Sequence, residues 1–371
     1  MKMDKGKQYD IGIMSGTSMD GIDCVIAEFQ PNRVKLIATQ SFNYPSAIKT
    51  SIQKIYAAGY VTSLNTLGVI DYQLGEVYAK CVLELLKSSG IPKGHIRLIA
   101  CHGQTVLHAP KGKHPFSLQL GNADVIAVKT GIDTLNNFRN KDMVSGGEGA
   151  PLAPLFHQQF LGQKGAKGVI LNLGGIANIT CLSPEKKPFG FDTGPANVLI
   201  DLWIQKHQQL PFDASGCWGE SGKLIPRLLD KLLSHCYFQK PPPKSTDVAS
   251  FNLNWLMTLL SGDERPEDVQ HTLHAFTAKS VANAIQTYHK STQYLRACGG
   301  GAYNRLLLKR LQQDLPEVDI QTTEDAGIAP KWVEAACFAW LGFCYRHNIA
   351  LDYSTITGAR KAHILGTLHL A

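Results

Sequence analysis

The chain has 371 residues, of which 44% are hydrophobic and 18% charged. That composition excludes a disordered or fibrous protein, and the length exceeds one ordinary core, so two or at most three domains are expected. The formal charge of +7 comes from dispersed Lys and Arg with no run longer than a pair, which argues against a nucleic-acid surface and for anionic small substrates.

The segment Ile11 to Ile26 reads as an apolar strand, a turn of small and hydroxyl residues, and a second alternating strand. In the turn, Ser15, Gly16, Thr17 and Ser18 offer hydroxyl and amide donors, and glycine lets backbone approach a phosphate without a Cβ in the way. Asp20 and Asp23 supply carboxylates suited to a hydrated Mg²⁺. Taken alone, the unit reads equally well as an ordinary glycine-containing hairpin.

A third strand is expected near Val34 to Thr39. Leu67, Ile70, Leu74, Val77, Cys81 and Leu85 then follow helical spacing up to a stop at Gly90. The strand Ile96 to Ala100 runs into Cys101, His102, Gly103, Gln104 and Thr105, and open α/β sheets place ligands at such carboxyl ends. His102, beside Gln104, can touch a sugar or serve as a satisfied structural group. Gly121 to Gly131 reads as a helix, Thr134 to Phe138 as a short strand or crossover, and Asp142 to Leu152 as a glycine-rich loop near the domain boundary.

The hairpin pattern returns at Gly168 to Leu182, with Gly174 and Gly175 in its turn, which favours two related domains gripping one polyphosphate. In Phe189 to Asn197 an apolar lead-in carries Asp192 to a strand end, where a carboxylate can act as general base in phosphoryl transfer. The alternative is that Asp192, Thr193 or Asn197 caps the helix that follows. Lys240 to Thr246 reads as a stiff, proline-rich polar excursion. Pro266 opens a helix whose apolar positions include Val269, Leu273, Phe276, Val281 and Ala284. The strand Tyr294 to Cys298 runs into Gly299, Gly300 and Gly301 and a Leu-rich helix, echoing Ile96 to Thr105. A ring or phosphate can lie against that bare backbone, although triple glycine also serves tight turns.

No Walker-type loop occurs, no Gly-x-Gly-x-x-Gly follows the first strand, and no histidines cluster at zinc-ligand spacing. The five tryptophans are assigned to the core or to domain interfaces. Nine cysteines, an odd number without Cys-x-x-Cys spacing, read as small buried hydrophobes in a reducing compartment. Met1 to Asp10 carries no signal-peptide core and no stretch approaches membrane-spanning length, so a cytoplasmic protein with no membrane partner is expected.

With these residues in view, the chain resembles the anhydro-N-acetylmuramic acid kinases of the actin, hexokinase and heat-shock ATPase superfamily. The resemblance runs through Met14 to Asp23, Cys101 to Thr105, Leu171 to Thr180, Gly190 to Pro195, Asp268 to Gln270, Cys298 to Ala302, Thr357 to Ala359 and Ile364 to Gly366, and so spans essentially the whole chain. It implies an α/β, two-lobed, actin-like ATPase with duplicated ribonuclease H-like domains and an interlobe cleft. The expected lobes are residues 1–136 with about 358–371, and 137–357.

The resemblance further implies ATP and Mg²⁺ acting on 1,6-anhydro-N-acetylmuramic acid from peptidoglycan turnover, opening its bridge and giving N-acetylmuramic acid 6-phosphate. The nucleotide is expected at Gly16, Thr17, Ser18, Met19, Asp20, Gly21, Ile22 and Asp23, with Gly174, Gly175 and Gly299 to Gly301. Asp192 is the expected base that activates water. Glu334, His102, Gln104 and Arg139 are the expected sugar contacts, Asp20 the expected Mg²⁺ ligand with Asp192 as the alternative, and a homodimer the expected assembly. Breaking the C1–O6 bond develops positive charge at C1, so a carboxylate there both polarises water and stabilises the transition state.

Four places depart from the family pattern: Asn137, Glu148, Ala196 and the run Asp247 to Ala249. They touch loops and leave the expected base intact. The competing readings are a nucleotide-operated binding module of the same superfamily, against which the lack of an appended peptide-binding domain argues, and a kinase for another anhydro or amino sugar.

Overall fold

The alternation read at Ile11 to Ile26 becomes a meander of three antiparallel strands, β1 (Tyr9–Ser15), β2 (Ile22–Gln30) and β3 (Arg33–Phe42). The chain, seen in a computed structural model that describes residues 8–57 and 59–371, then forms the helix Leu64–Ser89. Ser63 caps this helix by accepting from Thr66 N, and Gly90 ends it at φ 69°, a left-handed position that suits glycine. β4 (Ile96–Cys101) returns parallel to β1. β5 (Gln104–Ala109) and β6 (Phe116–Leu120) make a separate hairpin, and β7 (Thr134–Asn136) lies parallel to β4. Residues 1–7, which include most of the hydrophilic start of the chain, lie outside the described residues.

The same plan is then repeated. β8 (Gly168–Leu173), β9 (Ile176–Ser183) and β10 (Lys186–Pro195) form a second antiparallel meander, β11 (Tyr294–Cys298) lies parallel to β8, and β12 (Asp319–Thr322) lies parallel to β11. The last strand, β13 (Thr367–His369), adds antiparallel to β7. The first sheet is ordered β13-β7-β4-β1-β2-β3 and the second β10-β9-β8-β11-β12. Setting β13 aside, the two share one order and one pattern of directions. The fold is α/β with two ribonuclease H-like units, the arrangement of actin-like ATPases.

The units are Met1–Phe156 with Trp332–Ala371, and His157–Lys331. The boundaries expected at 137 and 357 both fall inside the first unit. The helix Val333–Arg346 belongs there because it packs on the first sheet so tightly that a Cβ at Gly12 would lie 1.9 Å from Ala335 O and 2.7 Å from Ala339 N. Ile11, Ile13, Ile22, Leu74, Tyr78 and Ile99 centre the first core. Val169, Leu171, Ile179, Val281, Leu295 and Leu307 centre the second. A further aromatic layer in the second unit contains Trp203, Tyr237, Phe251 and Phe276.

Two local expectations are corrected. The start of the glycine-rich loop, from Asp142, belongs to a short helix, Asn140–Val144, since Asp142 is buried and accepts from Gly149 N and Thr357 Oγ1, both at 2.8 Å. A one-turn helix, Gly300–Tyr303, separates β11 from the Leu-rich helix Arg305–Asp314, whose cap is Asn304 through Leu307 N. Of the nine cysteines seven are buried, while Cys217 and Cys236 are exposed, and all are free thiols. Among the described residues no helix is long and apolar enough to cross a membrane.

Candidate active site

In the first unit the turn from Gly16 to Gly21 joins β1 to β2, with Thr17, Ser18 and Asp20 exposed and Met19 buried beneath them. Its base is fixed from inside. Ser15 Oγ lies 2.8 Å from Tyr78 Oη and donates to Gly103 O at 3.1 Å, so the turn is tied to the helix Leu64–Ser89 and to the end of β4. Gln104 is fully buried, and its amide donates to Gly16 O at 3.1 Å and to Tyr56 Oη at 2.7 Å while its carbonyl accepts from Tyr44 Oη. Both ends of this side chain are used within the protein, which makes Gln104 a brace for the turn. A Cβ at Gly16 would meet nothing closer than Ser18 Oγ at 3.6 Å, so the turn has open space beside its backbone at Gly16.

His102, at the end of β4, is 4% exposed. Its Nε2 accepts from Arg139 Nη2 at 2.8 Å and Nε at 3.2 Å, which leaves the proton on Nδ1. Burial, then the Arg139 charge, holds the imidazole well below its ordinary pKa, so the ring is neutral. Arg139 also donates from Nη1 to Gly149 O at 2.8 Å. Glu334 lies in the first turn of the helix Val333–Arg346, where the helix dipole favours a carboxylate. Its side chain reaches solvent, yet the protein packed about it raises its pKa, an effect opposed by Arg139 and increased by Asp23. Asp23, at the start of β2, accepts from Ser41 Oγ of β3. The unit thus gathers the braced turn, Asp23, His102, Arg139 and Glu334 around the ends of β1 and β4.

The second unit carries Asp192 three residues before the end of β10 rather than at its tip, and half-buried. Its carboxylate Oδ2 accepts from Thr246 N at 3.0 Å, and Oδ1 has no hydrogen-bond partner among the described residues. Burial pushes the carboxyl up to about 6, against the smaller opposing effect of the Thr246 amide. The capping alternative fails for all three candidates. The helix Asn197–Gln208 starts after Ala196 without a side-chain cap, Thr193 donates to Ala177 O at 3.3 Å, and Asn197 donates to Leu173 O at 2.9 Å.

The glycines of this unit divide by what surrounds them. Gly174 and Gly300 have room for a side chain, so their bare backbone faces space. Gly299 has φ 78° and lies against Asn172 and Leu173, and a Cβ at Gly301 would meet Leu173 Cβ at 2.7 Å, so those two are required by packing. Gly175 falls between, with Val248 at 3.2 Å.

Three residues were missed. Tyr237 donates to Asp192 O at 2.6 Å, Lys244 O accepts from Asp192 N at 3.3 Å, and Thr246 supplies the amide just described. Lys244 and Thr246 lie in the proline-rich excursion read in the sequence and Tyr237 just before it, and none carries a local signal of contact with Asp192. Among the described residues no group of three or more His, Cys, Asp or Glu is arranged to hold a metal.

The departures from the family pattern are accommodated locally. Asn137 has φ 54°, a left-handed conformation that Asn tolerates, and its Oδ1 accepts from Asn140 Nδ2 at 2.7 Å. Glu148 donates its backbone N–H to Thr357 O at 2.9 Å, a bond any side chain permits there. Ala196 is buried just before the helix Asn197–Gln208, with φ −107° and ψ −97°.

The family model for anhydro-N-acetylmuramic acid kinase matches residues 8–371. A relative from Vibrio vulnificus strain CMCP6, named anhydro-N-acetylmuramic acid kinase, is 41% identical over 365 residues, covering 98% of both chains. One of the same name from Photobacterium profundum is 43% identical over 369 residues, covering 97% of this chain and 98% of its own. Among solved structures, the (R)-2-hydroxyglutaryl-CoA dehydratase component A of Acidaminococcus fermentans aligns at TM-score 0.48 and 10% identity over 90% of this chain and 96% of that one, which adds nothing to the topology already described. On the full-length match and the relatives' identity, this chain belongs to the anhydro-N-acetylmuramic acid kinase family.

Proposed function

We propose that this family kinase uses ATP to convert 1,6-anhydro-N-acetylmuramic acid and water to N-acetylmuramic acid 6-phosphate and ADP, with Asp192 as the base. The observation that carries the assignment is the Asp192 carboxylate, held at Oδ2, unpartnered at Oδ1, and raised to about 6 by burial. Such a group is ionised at neutral pH yet basic enough to accept a proton. Oδ1 takes a proton from water as its oxygen attacks C1. The C1–O6 bond breaks with its electron pair on O6, and O6 attacks the γ-phosphorus, releasing ADP.

In this reading Gly16 to Asp23, Gly174, Gly175 and Gly300 offer backbone amides and hydroxyls to the nucleotide, with Gly299 and Gly301 fixing the path of that loop. Arg139, His102 and Glu334 meet the sugar, while Gln104 acts by bracing the turn. The exposed carboxylate of Asp20, beside the hydroxyls of Thr17 and Ser18, suits Mg²⁺, which binds through one or two carboxylates plus water and phosphate oxygens. When bound, the ion neutralises charge on the phosphates. The protein works as a homodimer in the cytoplasm, a reading supported by its seven buried free thiols for the compartment and by the family resemblance for the assembly.

The test is ADP release with and without the anhydrosugar, followed by mass analysis of product made in ¹⁸O-labelled water. Sugar-dependent ADP with the label at the anomeric hydroxyl is the expected result. ADP formation indifferent to the sugar, or label absent from that position, would overturn it.

A further inference from the structure

Asp192 is gripped from a single direction by chain far away in sequence. Tyr237, 4% exposed, donates from Oη to the Asp192 carbonyl at 2.6 Å, Lys244 O accepts the Asp192 N–H at 3.3 Å, and the Thr246 N–H meets the carboxylate at 3.0 Å. One segment therefore binds the backbone of Asp192 on both sides and one of its carboxylate oxygens.

We propose that the segment Tyr237 to Thr246 is a clamp that orients the Asp192 carboxylate for water activation, with the Tyr237 hydroxyl and the Thr246 amide as positioning groups. This rests on the reading of Asp192 as the base.

The physical need is specific. A carboxylate on a free side chain turns about its last bond, and its two oxygens exchange places. An amide bonded to Oδ2 stops that rotation and leaves the lone pairs of Oδ1 for water. The backbone bonds at Asp192 N and O fix the origin of the side chain, so the clamp sets both position and angle. Lys244 stiffens it, with Nζ 4.7 Å from the centre of the Tyr237 ring and 5.8 Å from that of Phe191. Beyond Thr246 the same segment reaches the β8–β9 turn, where Val248 packs on Gly175.

The titratable groups that the clamp brings toward Asp192 are Tyr237, whose hydroxyl bonds the Asp192 carbonyl, and Lys244, whose side chain lies over the Tyr237 ring. Opposite Asp192 on β9 stands Asn178, which carries no charge. The Thr246 N–H favours the ionised carboxylate and works against burial. Removing it therefore raises the carboxyl pKa and moves the acid limb of kcat/KM toward higher pH.

The full-length enzyme is assayed as Tyr237→Phe, Thr246→Pro, Thr246→Ala and Asp192→Asn. Tyr237→Phe is expected to lower kcat by about tenfold with KM for ATP and sugar within about twofold, because geometry is lost and binding is not. Thr246→Pro, which lacks the N–H, is expected to shift the acid limb upward by about one pH unit, whereas Thr246→Ala keeps the N–H and the original limb. A wild-type kcat in Tyr237→Phe, or an unmoved limb in folded Thr246→Pro, overturns the clamp. Should Thr246→Pro fail to fold, the kcat of Tyr237→Phe decides alone. Turnover retained by Asp192→Asn would remove the base itself, whereas an inactive Asp192→Asn beside unaffected clamp variants would remove only the clamp.

Discussion

In the proposed mechanism Asp192 links stability to catalysis through one ionisation. Burial raises its pKa from 3.8 to about 6 in the folded protein, so the native state holds the proton more tightly than the unfolded chain does. Its contribution to stability is fully present below the unfolded value and is lost as pH rises through about 6. At neutral pH the ionised carboxylate is thus carried at a cost to the fold. Asparagine keeps an oxygen for the Thr246 N–H and carries no charge. Asp192→Asn is expected to lose about a hundredfold or more in kcat and to melt higher than wild type at about pH 8, with the difference gone near pH 4. Thermal midpoints at the two pH values check it. A variant that melts lower at the higher pH would show that burial does not set this pKa. Asp192 was legible as a candidate base, with a helix cap as the alternative, because an apolar run leads straight into its carboxylate. Tyr237 and Thr246 were not, since they lie 45 and 54 residues away and reach Asp192 through the fold alone.

Among elements, the strands and helices of the first sheet were readable wherever local signals agreed. Alternation gave β1 and β2, and spacing with a terminal Gly90 gave the helix Leu64–Ser89. Less of the helix Val333–Arg346 was readable. It is apolar on nearly all sides, with Val333, Ala335, Ala336, Cys337, Phe338 and Ala339 all buried, so its pattern names no single face. What seats it is the glycine beneath it. Gly12 looks like an ordinary strand glycine in the sequence, yet Ala335 O occupies the space its Cβ would need. Gly12→Ala should therefore push the helix off β1 and cost about 3 kcal/mol or more, read as a fall in the urea midpoint. Gly300→Ala makes the contrast, because nothing lies within 4 Å of a Cβ there and its backbone need not strain. Its midpoint should stay near wild type. Equal midpoints for Gly12→Ala and Gly300→Ala would mean that the helix does not depend on this close approach.

At the scale of the molecule, the repetition was legible and the bounds of its units were not. Two hairpins of one pattern, each followed by a strand running into glycine, foretold two related units. A first unit made of two separated stretches with a continuous second was expected from the resemblance, while the bounds at Phe156 and Trp332 carry no local signal. The consequence is an asymmetry in folding. His157–Lys331 holds a whole sheet, the helices that cover it and its own aromatic layer. Met1–Phe156 by itself lacks β13 and the helix Val333–Arg346, so apolar surface on β1, β2 and β4 that the helix covers would stand open to water. Expressed separately, His157–Lys331 is expected to unfold in one cooperative urea transition with native near-ultraviolet circular dichroism. Met1–Phe156 is expected to keep secondary structure but lose the near-ultraviolet signal and bind a hydrophobic dye, the marks of a chain without fixed packing. Cooperative unfolding of Met1–Phe156 alone would mean that the helix from the end of the chain is an addition to a unit already complete.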